Sequence, residues 1–373
     1  MPIYLDYNAT TPLEPTVIES ITKSLSENWA NPSSGYASGV AAKKIINEAR
    51  KNIGLMIGAN PEDIIFTSGG TEANNMVIFG ILEYYANWLR TIKTEIKDKP
   101  HIITTNVEHD AVILPIRHLQ KKRNVTIVPV LKTGCVDVQD IISEVRPTTC
   151  LITVMLANNE TGVIMPIEHI GRSIQQINKQ RRANKLIEIL YHTDAAQAIG
   201  KIEVDTETLQ ANYITIVGHK FYGPRIGCLY AQGIGSKAPV YPMLFGGGQE
   251  SGYRPGTENT PMIVGLGEAA RLVFRHLTKY SSHMTKIRDY LETKLKETFG
   301  NEVVFNCKSD VIRLPNTCNI SFRKEGLYGH RVLSRCTNIS ASIGAACHTN
   351  NQPSGSTPTH EEIWRIIYEG HTE

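Results

Sequence analysis

A chain of 373 residues, 41% hydrophobic and 20% charged, has the composition of an ordinary globular protein and ample length for a large core. Its 39 basic and 36 acidic residues leave a net charge of +3, too weak a field to draw nucleic acid or an anionic membrane surface, so small charged metabolites are the expected ligands. No apolar run approaches the ~20 residues that span a bilayer.

The opening run, Met1-Pro2-Ile3-Tyr4-Leu5-Asp6-Tyr7, has neither the basic and apolar regions of a secretory signal nor the bias of a transit peptide. Seven cysteines (Cys135, Cys150, Cys228, Cys307, Cys318, Cys336 and Cys347) form no C-x-x-C pair and no disulfide framework, and an odd count leaves at least one unpaired. Both features lead to the expectation of a reducing compartment, the cytosol. From about residue 60 to 230, short apolar runs alternate with helix-period stretches. The runs are Ile64–Phe66, His101–Thr105, Val125–Val130, Leu151–Ala157, Leu186–Tyr191 and Ile214–Val217, and the helical stretches are 72–90, 110–122, 137–146 and 167–181. This alternation predicts repeated βα units and an α/β fold with a mostly parallel sheet, whose ligands sit outside the carboxyl ends of its strands. Gly-rich residues 245–250 and the run 254–259 then precede a long helical region from about 261 to 299. Strand-like Thr317–Phe322 and a loop ending at Cys347 follow. The expected division is a large domain over 16–260 and a smaller α+β domain made of 1–15 and 261–373.

The polar motifs fall at the ends of the apolar runs. Ser68-Gly69-Gly70-Thr71-Glu72 follows one strand and opens a helix, so backbone N–H groups, a hydroxyl and the helix dipole converge where a phosphate could sit. The same residues would serve as a plain N-cap turn, and the Lys-Ser/Thr of a nucleotide P-loop is missing. His109 ends the next strand, either as a ring to stack on a flat ligand or as a helix cap. Asn158-Asn159-Glu160-Thr161-Gly162 offers amides to a phenolic oxygen, or forms an ordinary turn. Asp194 closes a buried run, where a carboxylate is costly without a compensating partner. Lys220, in Gly218-His219-Lys220-Phe221-Tyr222-Gly223, is a surface cation or a buried amine. With Asp194 it would supply a Schiff-base partner for an aldehyde and an anion for a pyridinium nitrogen, the two groups that pyridoxal phosphate (PLP) requires. Cys347, beside His348 in a loop of small residues, is an inert thiol or an accessible, reactive one.

Taken in order, nine runs resemble the cysteine desulfurase family of class V aminotransferases, PLP enzymes of fold type I, along nearly the whole chain. They are LDYNATTP (5–12), NPSS (31–34), SGGTE (68–72), VEHD (107–110), ANNETG (157–162), HTDAAQ (192–197), GHKFYGP (218–224), GGGQE (246–250) and RPGTEN (254–259). Residues 218–227, 242–250 and 254–262 are most similar to the branch of that family that cleaves selenocysteine. The resemblance implies a seven-stranded large domain, an amino acid substrate converted to alanine with release of reduced selenium, a homodimer with shared active sites and a selenium-accepting protein partner. It implies that Lys220 bonds the PLP aldehyde, Asp194 pairs with the ring nitrogen and His109 stacks on the ring. Asn159 and Gln197 would address the ring oxygen; Gly70, Thr71 and His219 the phosphate, joined by Thr257 of a second copy; and Cys347 would be the catalytic cysteine. Cysteine desulfuration, or a catalytically silent PLP-binding subunit, is the alternative.

Two departures from the family pattern stand out. Val217 occupies the place where many desulfurases have a phosphate-binding Ser, a change shared with the selenocysteine-cleaving branch. After Cys347 the chain runs from Gln352-Pro353-Ser354 directly into Gly355-Ser356-Thr357, without the helix and Arg-x-Ser-x-Gly strand whose Arg holds the substrate carboxylate in relatives. The expectation is intact cofactor binding with weakened or absent turnover.

Overall fold

The computed structural model describes residues 2–92, 99–120, 124–307, 310–323 and 328–344. In chain order the elements are β1 (Ile3–Tyr4), α1 (Pro15–Glu27), α2 (Ala37–Ile57), β2 (Ile64–Thr67), α3 (Gly70–Ile92), β3 (His101–Thr105), α4 (Asp110–Gln120), β4 (Asn124–Val128), α5 (Val138–Ser143), β5 (Thr149–Thr153) and α6 (Ile167–Ala183). They continue with β6 (Leu190–Asp194), α7 (Thr206–Leu209), β7 (Tyr213–Val217), β8 (Gly227–Ala231), α8 (Thr260–Phe299), β9 (Val303–Phe305), β10 (Ile320–Phe322), α9 (Gly329–Arg335) and β11 (Ile339–Ser340).

Seven strands form one sheet in the order β2-β8-β7-β6-β5-β3-β4. Its pairs are parallel except those that β8 makes with β2 and β7. Period-two alternation sends neighbouring apolar residues to opposite faces. Ile64, Phe66, Ile103, Ile152, Ile214 and Ile216 join a core with α1, α2, α6 and the first half of α8. Ile65, Ile102, Leu151, Tyr213 and Leu229 join a second core with α3 and α4. This is the α/β layering that the βα alternation predicts. At the termini of the described chain, β1 lies parallel to β11, and β9 and β10 form an antiparallel pair.

Two predicted strands shift, and in the first the run Leu151–Ala157 pairs only as far as Thr153, with β5 beginning at Thr149. In the second, the run Leu186–Tyr191, the ladder starts only at Leu190. The side chains of α6 capture the earlier backbone: the Asn178 amide donates to and accepts from Ile189, and Arg181 Nε donates to the Ile187 carbonyl. Asp194 is the last residue of this strand, as the sequence predicts. β8 is not among the apolar runs read from the sequence, because its five residues lie between Gly/Pro-rich flanks.

Two histidines stitch the sheet. His192 bridges Thr153 Oγ1 on β5 at 2.8 Å and Thr215 Oγ1 on β7 at 3.1 Å. His101 does the same between Thr149 on β5 and Thr126 on β4, at 2.7 and 2.9 Å. Burial lowers both imidazoles to about 4, so each is neutral in the folded protein at pH 7. Because the unfolded chain takes up these protons near pH 6.5 and the fold only near 4, stability present above 6.5 is lost as pH falls towards 4. For fully buried His192 the loss is about 3 kcal/mol. Urea midpoints of the apoprotein measured from pH 7 to 4 should fall, and His192→Gln should remove part of that slope; an unchanged slope in the variant would refute the assignment.

Candidate active site

The chain reverses direction across the sheet so that the loops after β2, β3, β5, β6 and β7 gather at one edge, the carboxyl ends of the parallel strands. Asp194 ends β6, and Lys220 follows β7 through the single turn Gly218–Lys220. β6 and β7 are direct neighbours, with Asp194 opposite Thr215. The carboxylate and the amine therefore come to the ends of adjacent strands, although they are separated in sequence.

Asp194 is 7% exposed. Its Oδ2 accepts from Asn74 Nδ2 at 2.8 Å and its Oδ1 from the Ala196 N–H at 2.9 Å, which offsets the cost of burying the charge. Asn74 reaches it from the first turns of α3, and its own Oδ1 is buried with no partner among the described residues. Nearby, Glu108 is fully buried. Its Oε1 accepts from Thr105 Oγ1 at 2.7 Å and from the Met155 N–H at 3.0 Å, while Oε2 has no partner among the described residues. Burial pushes this carboxyl up to about 8, with the Asp194 charge adding to the effect, so near pH 7 Glu108 favours its neutral form.

Lys220 Nζ donates to the carbonyls of Asn8 at 2.6 Å and Ala9 at 2.9 Å. The segment around Thr11 straps the lysine loop from outside: the Thr11 N–H donates to the His219 carbonyl at 2.9 Å, and Thr11 Oγ1 accepts from the Tyr222 N–H at 2.7 Å. Tyr222 is held at φ +63°, a left-handed conformation that a bulky residue adopts only under such constraint. His219 Nδ1 lies 3.1 Å from Thr10 Oγ1. Burial, reinforced by Lys220, Arg225 and Lys201, lowers its imidazole to about 4 and keeps the ring neutral.

The turn before α3 fits a phosphate. A 23-residue helix begins at Gly70, and the N–H groups of its first turn have no intrahelical acceptors. A Cβ on Gly70 would lie 2.5 Å from Val217 Cγ2, so only glycine lets this helix end close on β7, whereas Gly69 faces open space. Glu72 caps the turn from within, accepting from the Ser68 N–H at 2.7 Å and from Arg254 Nε at 2.9 Å. Burial works against this carboxylate, but the bonds from Arg254 and Ser68 outweigh it and hold its pKa below the usual value.

His109 follows β3 and is half-buried, with Nδ1 accepting from the Ala111 N–H at 3.1 Å. Its imidazole therefore caps α4, the plainer of the two sequence readings, from a half-buried position after the carboxyl end of β3. In the loop after β5, Asn158 rather than Asn159 makes the turn, its Oδ1 accepting from the N–H groups of Glu160 and Thr161. Half-buried Asn159 is left for other contacts. Gln197 Nε2 donates to the Asn8 carbonyl at 2.9 Å. Thr71 and Thr257 are exposed, Thr257 on the segment that Arg254 ties to α3. The neighbouring Gly-rich segment is pinned to β2 through Glu250, which takes both guanidinium nitrogens of Arg50, at 2.8 and 2.5 Å, and the Phe66 N–H at 2.8 Å. Cys347 and the run that follows it lie outside the described residues.

A carboxylate, an amine at the next strand end, an imidazole and a glycine-made helix N-terminus match a pyridinium nitrogen, an aldehyde, a flat ring and a phosphate in turn, so these residues fit PLP. The model of the aminotransferase class-V family matches residues 3–366. The chain belongs to that family. As an aminotransferase class-V protein it uses PLP as its cofactor. It is 54% identical over 357 residues to the selenocysteine lyase of Xenopus tropicalis, a match covering 93% of this chain and 82% of that one. To the mitochondrial cysteine desulfurase of Saccharomyces cerevisiae it is 38% identical over 349 residues, 93% of this chain and 65% of the relative. Among solved structures a NifS-like protein superposes with a TM-score of 0.77 at 34% identity, over 86% of this chain and 82% of the other.

Sequence reasoning gave Asn8, Asn74 and Lys201 no role. Asn8 is a hub: its carbonyl accepts from Lys220 and Gln197, its Nδ2 donates to Thr317 Oγ1 at 3.0 Å and to the Asn159 carbonyl at 3.3 Å, and its Oδ1 accepts from Asn316 at 2.9 Å. The one signal available for Asn74 was its spacing, one helical turn beyond Gly70 on the face that buries Ala73 and Val77.

Proposed function

We propose that this chain converts L-selenocysteine, with a thiol reductant as co-substrate, to L-alanine and reduced selenium with PLP as cofactor. What carries the reading is that the 54% identity to a selenocysteine lyase extends over a site whose carboxylate and lysine stand on adjacent strand ends. When bound, PLP supplies an electron sink that weakens bonds at the substrate's α-carbon. Lys220 would hold the PLP aldehyde and, as a free amine, would serve as the base for the substrate's α-proton. Asp194 keeps the ring nitrogen protonated, and neutral Glu108 leaves that charge unopposed. Gly70, Thr71 and His219 hold the phosphate, Asn159 and Gln197 the ring oxygen, and His109 covers the ring. As a thiolate, Cys347 would attack the selenium: the S–Se bond forms as the Cβ–Se bond breaks, the electron pair of that bond stays on Cβ, which takes up a proton on the way to alanine, and a thiol co-substrate then displaces selenide from Cys347 with formation of a disulfide.

The same reading proposes a homodimer in which exposed Thr257 completes the phosphate site of a second copy, a selenium-accepting protein as a further partner, and the cytosol as the compartment, consistent with six free cysteines among the described residues. Substrate choice follows from proton affinity: a selenol is ionised at neutral pH, whereas a thiol near 8.5 is mostly protonated, so the group that manages the proton discriminates between them. With the PLP-reconstituted protein, kcat/KM for alanine formation should favour L-selenocysteine over L-cysteine by roughly tenfold or more, and Cys347→Ala should shrink that ratio. A preference for cysteine would make the chain a desulfurase instead, and an unchanged ratio in the variant would remove Cys347 from discrimination.

A further inference from the structure

The turn that follows β6 ends in a lysine that the site description leaves without a task. Lys201 is 4% exposed. Its Nζ donates to the Gln197 carbonyl at 2.9 Å and to Gln197 Oε1 at 2.8 Å. The other end of the same amide donates from Nε2 to the Asn8 carbonyl at 2.9 Å. A carbonyl oxygen only accepts, so Nε2 must face Asn8 and Oε1 must face Lys201; hydrogen-bond chemistry fixes which way round the amide sits. The turn itself cannot drift. Gly200 sits at φ +79°, and a Cβ there would lie 2.6 Å from Phe221 Cβ, on the residue next to Lys220. Burying this ammonium works against the fold: burial, then the charge of Lys220, lowers it to about 7. An apolar side chain of similar length would fill the same space without that cost, so packing does not explain the lysine.

We propose that Lys201 is a positioning residue, which grips the oxygen edge of the Gln197 amide so that its N–H edge is presented to the ring oxygen of PLP. The inference rests on the reading above that Gln197 faces the cofactor. Without Lys201 the amide can turn over, and an oxygen then meets an oxygen.

The dissociation constant of PLP from the apoprotein, read from its visible absorption band, tests this in a double-mutant cycle of Lys201→Met and Gln197→Ala. Each single variant should weaken PLP binding roughly tenfold, the worth of one well-placed hydrogen bond. The double variant should bind no more weakly than Gln197→Ala alone, because Lys201 acts only through that amide. Losses that multiply to about a hundredfold, or a Lys201→Met variant with unchanged affinity, overturn the inference while leaving Gln197 in its place. A Gln197→Ala variant with unchanged affinity overturns the placement of Gln197 and the inference with it. If Lys201→Met does not accumulate as folded protein, judged by its thermal midpoint, Lys201→Leu, which likewise has no donor, takes its place in the same cycle under the same criteria.

Discussion

Asp194→Asn is expected to give a folded protein in which alanine production from selenocysteine is slowed roughly 10^2- to 10^3-fold, the cost of removing one buried electrostatic partner from a reacting system. The fold should survive because the hydrogen-bond count does. The retained oxygen can still accept from the Ala196 N–H. The new amide nitrogen faces Asn74, whose Oδ1 now lacks a partner among the described residues, and a half-turn of the Asn74 amide brings that orphaned acceptor to it. Exchanging a buried charge for a satisfied amide should leave the thermal midpoint of the apoprotein unchanged or higher. The chemistry loses its anion, and Glu108 is a poor replacement: burial is the larger cause of its raised pKa and persists after the Asp194 charge is gone. Steady-state kcat measured beside the thermal midpoint separates the two effects. Turnover within tenfold of the parent would mean that the ring nitrogen does not depend on Asp194.

The groups that sequence reasoning found share one property: each ends a short apolar run. Lys220, Asp194, His109 and Gly70 could be read because a polar or glycine residue closing a buried strand, or opening a helix after one, has a local signature, and parallel topology gathers such ends at one edge. Asn8 had no such signature. Its role depends on the pairing of β1 with β11 and on Asn316 and Thr317, partners some three hundred residues away in sequence. Lys201 was hidden for a related reason. In sequence it is a lysine after glycine, a surface turn by composition, and only the closure of Gly200 on Phe221 buries it. The misplaced start of β6 has the same origin, because side chains of α6, rather than local propensity, decided where the ladder begins.

The second large effect concerns the substrate's carboxylate. From His348 onward the sequence contains one arginine, Arg365, and it lacks the Arg-x-Ser-x-Gly segment by which the family resemblance implies bidentate capture of that carboxylate. A paired guanidinium contributes two charge-assisted hydrogen bonds of fixed geometry, worth roughly 10- to 100-fold in affinity and more in alignment of the α-proton. We therefore expect this chain to bind PLP normally and to show a raised KM for selenocysteine, because the proposed cofactor contacts come from the ends of β2 to β7, whereas the family resemblance assigns the carboxylate contact to the segment this sequence lacks. Two small ligands isolate the term. L-Alanine and ethylamine both present an amine to the PLP-loaded site, but only alanine carries a carboxylate. Titrated by the visible band of the cofactor, they should differ in dissociation constant by less than about tenfold here, whereas an intact clamp would separate them by roughly a hundredfold. A hundredfold preference for alanine would show that another cation of this chain holds the carboxylate. The Arg-x-Ser-x-Gly motif would then be one solution to a problem that this sequence solves differently.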